Sequence, residues 1–583
     1  MVELKNSKLS GRQYREETSK KISWGHWFAF FNVIIAIVIG ARYAFLIDWP
    51  DTLFGRVYFF ISLLGHFSFS IFAIYLLLVF PLSFIVKNNR TFRGLAVIIA
   101  TIGTTLLLFD TQVFNRFNLH LSSLVWNLLV NPEKGELSRD WQLFFAPMPI
   151  ILLAQMIFSR WSWEKLRSLE RQKWLKFVGA TFTLCFIGTH LIYAWADAFL
   201  YRPITMQRSN FPLSYPMTAR TFLEKHGFID RAKYAQKLAL EGRPEALKIN
   251  YPKHQLEFFP TAQSKNLLII TISGLRYDAV TDNKMPNLSE FARKARQFTN
   301  HYSSGNNDNA GLVGLFYGLN ANYTDSILNN HTQSVLIQKL NEEKYQFALF
   351  SSDRFKENLF RQALFRGMNL SLSNKEGNES AVNNLLKFFA ADSSDKNWFA
   401  YLDLALNGSN PTAYRQSLAQ MDEQIGKVLN HIPMENTFVV ITAPHGLSFH
   451  TNVEDDTNYF GRDEIQVPMI IYSKTLAPKQ ENALTSHTDL LPTIMSALFE
   501  VRNPASDYAQ GRNLFSPEND NSWVLASNYR WNVIIQADGT QYHLDREGNY
   551  KKFDDNYQPQ SSSRPPLGLF LDVFKQERSF FDK

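Results

Sequence analysis

A single cysteine, Cys185, occurs in 583 residues, and it lies inside an apolar segment. That count excludes an intrachain disulfide and any cysteine-based zinc site, and it leaves the redox compartment undetermined. Internal repeats and low-complexity tracts are lacking too, so no solenoid is indicated. Positive charge is not scarce, at a formal net charge of +7 and a pI near 9.1, but it is not gathered into one soluble patch. Much of it flanks apolar segments and sets topology there, so nucleic acid is not implied as a partner.

Runs long enough to cross a bilayer are absent after residue 200 and frequent before it. Five of them approach or exceed the ~20 residues a crossing needs: 24–47, 57–86, 92–109, 141–158 and 177–196. Trp24, Trp27, Trp49, Trp141, Trp161, Trp163, Trp174 and Trp195 mark their ends as an aromatic belt does. The basic tail before them is not a cleavable signal peptide, because no small-residue cleavage site follows the apolar run. The Lys/Arg-rich tail and the loops 87–93 and 160–176 read as cytoplasmic, so five crossings put the remainder of the chain outside. Within 110–140, the stretch FNLHLSSLVWNLLV (residues 117–130) reads as an interfacial or re-entrant helix. If it spanned, the soluble part would be cytoplasmic. Among ionisable groups of this region (Arg42, His66, His120, His190, Asp197), His66 alone lies well inside a run, where a helix–helix hydrogen bond is the simplest role.

The junction 200–230 carries Arg202, Arg208, Arg220 and Lys225 among prolines and aromatics. Ser214, Tyr215 and Pro216 predict a helix start, with Pro in the first turn and N–H groups near Thr218 open to an anion. Composition alone makes this a basic interfacial anchor.

From residue 266 short β-rich runs alternate with helix-length segments. Strands are predicted at 266–272, 345–350, 398–406, 436–442 and 467–472, with helices at 333–343, 379–391 and 414–432. This alternation predicts a mostly parallel α/β sheet with helices on both faces and its site at the carboxyl ends of the strands. After residue 522 two strand-rich stretches predict an antiparallel piece at the sheet edge.

Three strand-end clusters could carry chemistry: Thr271 to Leu275, Ser303 to Asn309, and Thr442 to Gly446. Their order, followed by His487, Thr488, Asp489 and Pro492, resembles the alkaline-phosphatase/sulfatase superfamily, in its membrane-tethered branch with lipoteichoic acid synthases and phosphoethanolamine transferases. The five runs, the junction residues Arg202 to Arg208 and Tyr215 to Arg220, and Ser303-Ser304-Gly305 with Gly314 to Gly318 resemble the PbgA/YejM family of inner-membrane proteins over nearly the whole chain.

The superfamily's chemistry uses a divalent metal, a Thr or Ser nucleophile and an Asp-His pair. Here the first-strand carboxylate position holds Ser273, the nucleophile position falls on Asp308, and the Asp of the pair is Pro444, which leaves His445 alone. A further histidine expected before Val467 is absent, with Arg462, Asp463 and Glu464 in that neighbourhood. No metal site and no catalytic set is therefore expected; Asp308 and His445 are weak candidates for a loosely bound divalent cation. His487 and Asp489 are expected to start and pack a helix.

The resemblance implies a cytoplasmic tail (1–23), a five-helix transmembrane domain (24–199), an interfacial lipid-binding linker (200–262), a sulfatase-like periplasmic domain (263–521) and a C-terminal strand-rich subdomain (522–583). It implies a pseudoenzyme of the Gram-negative inner membrane that binds lipopolysaccharide through lipid A. It also implies contact with a LapB-type membrane adaptor that delivers LpxC to FtsH, and support of outer-membrane integrity. Its lipid contacts would be Arg202, Arg208, Tyr215, Pro216, Met217, Thr218, Ala219, Arg220, Thr221 and Lys225. Thr221 departs from the second arginine often found in the family. Two alternatives stay open: a metal-dependent phosphatase or phosphotransferase, and a cardiolipin-binding or transport protein.

Overall fold

A backbone leaving water must satisfy its own N–H and C=O groups, so apolar runs of this length fold as helices. The structure, a computed structural model, describes residues 2–581 except 48, 118–119, 123–124, 127–144, 170–173, 244–245, 261–264, 369, 371–376, 392–395, 450–458, 518–520, 529, 546–549 and 561–566. It forms two units, residues 1–235 and 236–582.

The first unit is built on α1 (Val2–Gly40), α2 (Leu53–Ile74), α3 (Asn89–Phe117), α4 (Met148–Glu164) and α5 (Trp174–Ala198). Four stretches are long and apolar enough to cross a membrane: Gly11–Phe45, Leu53–Ile85, Asn89–Asn115 and Trp174–Ala198. The remaining expected run gives α4, a helix of 17 residues. At 1.5 Å per residue it reaches about 25 Å, short of a ~30 Å hydrocarbon core. The start of that run, and most of 117–130, lie outside the described residues.

Small and polar residues set the helix contacts, as expected where lipid removes the hydrophobic drive between helices. At Gly65 of α2 an added Cβ would sit 2.7 Å from the backbone of Phe186 in α5, so only glycine allows this approach. Trp24 Nε1 of α1 donates to Ser162 Oγ of α4 at 2.9 Å. About two helical turns further on, Asn32 and Gln155 exchange side-chain amide hydrogen bonds of 3.3 and 2.5 Å, both residues buried.

In the second unit the apolar runs become β1 (Asn266–Ser273), β4 (Gln346–Ser351), β5 (Trp398–Ala405), β6 (Thr437–Thr442) and β7 (Met469–Tyr472). With β2 (Arg296–Phe298) and β8 (Lys479–Glu481) they make one seven-stranded sheet in the order β4-β5-β1-β6-β7-β2-β8. β4, β5, β1 and β6 run parallel, and β7 is antiparallel to both its neighbours. β1 is buried along its centre on both faces, which is why it reads as a continuous apolar run rather than an alternating one. Helices cover both faces, and two apolar clusters fill the spaces on either side.

A second small sheet joins β3 (His301–Tyr302) to β9 (Thr485–Ser486). The last strands are β10 (Trp523–Ser527), β11 (Trp531–Gln536), β12 (Gln541–Asp545), β13 (Tyr550–Phe553) and β14 (Pro559–Gln560), which form an antiparallel sheet of their own. They do not extend the main sheet at its edge; β10 and β11 instead pack Val524, Ala526, Val533 and Ile535 on Tyr302 and Phe460. The expected class holds: apolar helices, a mostly parallel α/β sheet of the sulfatase type and a separate antiparallel piece. Ile249 bridges to Phe581 and Phe258 to Val501, so the chain from about residue 249 packs with the α/β unit.

Candidate functional site

The junction is seated residue by residue on the helices before it. Asp110 of α3, 3 % exposed, accepts from Tyr43, from Leu121 N at 2.5 Å and from His120 at 2.7 Å. His120 turns its other ring nitrogen to Ser209 O at 2.9 Å. Phe211 then enters a pocket of Tyr43, Phe59, Phe67 and the flat face of His66. His66 Nε2 reaches Pro212 O at 2.9 Å. Its partner is thus the junction backbone and not a neighbouring helix.

Beyond Leu213, whose φ of 56° is left-handed, the chain has no regular secondary structure as far as Ala219. The helix expected to begin at Ser214, Tyr215 and Pro216 is not there; α6 (Arg220–Lys225) begins at Arg220. The reason is tertiary. Met217 N donates to His190 Nδ1 of α5 at 3.0 Å, which fastens this stretch to α5. Arg220 Nε donates to Asp197 Oδ2 at 2.8 Å, and its guanidinium lies 5.6 Å over the ring of Tyr234 in α7 (Arg231–Glu241).

Thr218, Ala219, Arg220, Thr221, Phe222, Glu224 and Tyr234 line an open groove of 590 Å³. Leu213, Tyr215, Met217 and Phe228 of the surrounding sequence are exposed, Tyr215 at 74 %, as is Phe222 of the lining. Of the residues expected to bind lipid, Thr218 to Thr221 come together in the groove. Tyr215 and Met217 flank it in sequence, and Arg202, Pro216, Arg208 and Lys225 are not in its lining. Glu224, Tyr234, and the anchors Asp197 and His190 were not read as partners of this stretch. Their signal was that they are ionisable or aromatic residues close in sequence to the membrane ends.

The second candidate lies at the carboxyl ends of β1 and β6. Ser273 ends β1, and Asp308 is the first residue of α8 (Asp308–Tyr317), capped by Asn307, whose side chain accepts from Ala310 N at 3.0 Å. Pro444 and His445 follow β6, and the buried carbonyl of Pro444 accepts from Ser303 Oγ. The fold brings Ser273, Asp308 and His445 together: Ser273 Oγ donates to Asp308, whose Oδ1 lies 3.3 Å from His445 Nε2. The other ring nitrogen, Nδ1, faces Glu464 at 3.2 Å and Gly446 O at 2.7 Å. Glu464 sits where a further histidine was sought in the sequence, and its pairing with His445 was not foreseen.

Burial pulls the His445 value down, but its bonds to Asp308 and Glu464 and their charges push it up to about 10. Burial raises Asp308, and the bond and charge of His445 with the Ser273 hydroxyl hold it below the ordinary carboxyl value. His445 is therefore an imidazolium at neutral pH. It has no lone pair for a metal or for a proton from Ser273. Among the described residues no group of three His, Cys, Asp or Glu side chains is placed to hold a metal ion.

Further acidic side chains, with Lys356 among them, surround this ion pair. Glu357 is raised by burial and by Asp308 and Asp353. Asp403, at the end of β5, accepts from Thr271 and Ser351 and is pushed up to about 8 by burial and the charge of Asp353. His487 is buried, and Asp489 closes a capping box with Ser486 that starts helix Leu490–Phe499.

Residues 11–258 match the domain of unknown function DUF3413, and residues 265–501 match the sulfatase family. The chain is 66 % identical to an uncharacterised protein of Haemophilus influenzae over the full length of both. It is 41 % identical to the inner membrane protein YejM of Salmonella typhimurium, covering 98 % of this chain and 99 % of that one. Among solved structures it resembles a Vibrio parahaemolyticus protein in the alkaline phosphatase superfamily, with TM-score 0.44, 16 % identity and coverage of 61 % and 98 % of the two chains. It also resembles the lipoteichoic acid synthase LtaP of Listeria monocytogenes, with TM-score 0.41, 12 % identity and coverage of 59 % and 96 %.

Proposed function

The chain belongs to the family of the inner membrane protein YejM, and from that premise we propose that it is a non-catalytic lipopolysaccharide sensor that reads lipid A in the groove beside Arg220. The observation that carries this reading is the groove itself. Hydroxyl, backbone and guanidinium groups from Thr218 to Thr221 line it, and exposed Leu213, Tyr215, Met217 and Phe222 flank the same stretch. A phosphorylated lipid offers the matching pair, an anionic head and apolar chains. The α/β unit is periplasmic in this reading. The reading includes an output to a LapB-type adaptor, so that lipopolysaccharide level governs LpxC breakdown by FtsH.

The α/β cleft is a retained shape without its chemistry. His445 is spent between two carboxylates, and Asp308, with a depressed pKa, is a poor base for Ser273. The test is a complementation assay that measures cellular lipopolysaccharide. Arg220→Ala is expected to disturb its level several-fold, and Asp308→Ala and His445→Ala to leave it unchanged. Silence of Arg220→Ala together with loss in both cleft variants would instead support a phosphatase or phosphotransferase.

A further inference from the structure

The α/β unit holds another cavity, where residues 486–489 and 510–512 meet β10 and the C-terminal helix Leu567–Glu577. Its volume, 430 Å³, is within the range of small-ligand sites. Amide and hydroxyl side chains make up about half of its wall. Gln510 Nε2 donates to Gln576 O at 2.5 Å, Gln576 Nε2 returns to Gln510 O at 3.0 Å, and Gln510 Oε1 accepts from Asn320 N at 2.7 Å. These bonds hold the planar groups in fixed orientations.

Two cations, Lys253 and Arg512, and one carboxylate, Asp489, are in the lining. Lys253 holds its ammonium on Ser506 O at 2.7 Å, 4.1 Å over the ring of Phe580, and Arg512 stands on the wall. Asp489, the one acid of the lining, is 1 % exposed and already accepts from Ser486 N and Arg512 N. Trp523 adds a half-buried aromatic side chain from the start of β10.

Oriented amides and hydroxyls beside an aromatic ring suit a polyhydroxylated ring with one apolar face, and two cations suit an acid carried on it. We propose that this cavity binds an acidic saccharide of one or two rings. The inference rests on the α/β unit alone and is independent of the lipid reading.

The test is titration of the full-length protein, in a detergent without a sugar headgroup, with glucuronic acid, glucose 6-phosphate, glucose and inorganic phosphate, read by calorimetry and saturation-transfer NMR. At least one charged sugar is expected to bind tenfold or more tighter than glucose or phosphate, about 1.4 kcal/mol or more; which of the two does so tells carboxylate from phosphate. Arg512→Gln and Trp523→Ala are each expected to weaken that binding at least tenfold while still unfolding cooperatively. The proposal is overturned if neither charged sugar binds at millimolar concentration, if phosphate alone binds as tightly, or if both folded variants bind like the parent.

Discussion

Arg220, the first residue of α6, donates through Nε to Asp197 in the last turn of α5 at 2.8 Å, and the carboxylate it meets is 1 % exposed. A buried carboxylate left without its partner is destabilising, so this arginine serves the fold as well as the groove.

The two roles separate in a double substitution. Arg220→Ala is expected to lower stability by about 1–3 kcal/mol, because Asp197 then keeps a buried charge with less compensation. Adding Asp197→Asn removes that charge and is expected to restore most of the loss, while lipid binding stays impaired. Thermal unfolding in detergent and a lipid-binding assay on the same three proteins check this.

The His445 pair gives a pH signature. Its folded value is raised from 6.5 to about 10, so the stabilisation it confers is complete below pH 6.5 and is lost as pH rises toward 10. Asp308 is shifted down, so the same pair weakens again in acid, as pH falls through the depressed value. The Tm difference between the parent and His445→Gln is therefore expected to shrink from pH 6.5 to 10. A difference that grows over that range contradicts the pairing.

Gly311 of α8 has no room for a side chain: an added Cβ would stand 2.6 Å from Cα and C of Pro444 and against its carbonyl oxygen. Backbone cannot rotate away as a side chain can. Gly311→Ala is expected to cost about 1–3 kcal/mol in the unfolding of the α/β unit, with lipid binding unchanged.

The Asn32 and Gln155 amides bond reciprocally between α1 and α4. Hydrogen bonds between helices in lipid average about 0.6 and reach about 1.7 kcal/mol. A double-mutant cycle with Asn32→Leu and Gln155→Leu is expected to return a coupling within that range; zero coupling would mean the two amides do not meet.

The strands of the α/β unit were legible because parallel strands buried on both faces are continuous apolar runs, as in residues 266–272. Ser273, Asp308 and His445 were legible as a set because each follows a strand or opens a helix, where sites in such sheets gather. Glu464 was not, because its role depends on His445 turning toward it, a side-chain pairing with no sequence period. The junction helix failed for a related reason. Local signals at Ser214 and Pro216 favour a helix, but His190 and Asp197, more than twenty residues upstream, hold Met217 and Arg220 in positions that delay it. Short-range propensity gave way to contacts from a preceding helix.

The most direct measurement is the identity of the lipid that co-purifies with the protein from its native membranes, by mass spectrometry, for the parent and for the Arg220→Ala/Asp197→Asn pair. Lipid A-containing lipopolysaccharide is expected at about one per chain in the parent and strongly depleted in the pair. Cardiolipin in its place, or lipopolysaccharide retained equally by both proteins, would contradict lipid A recognition in the groove beside Arg220.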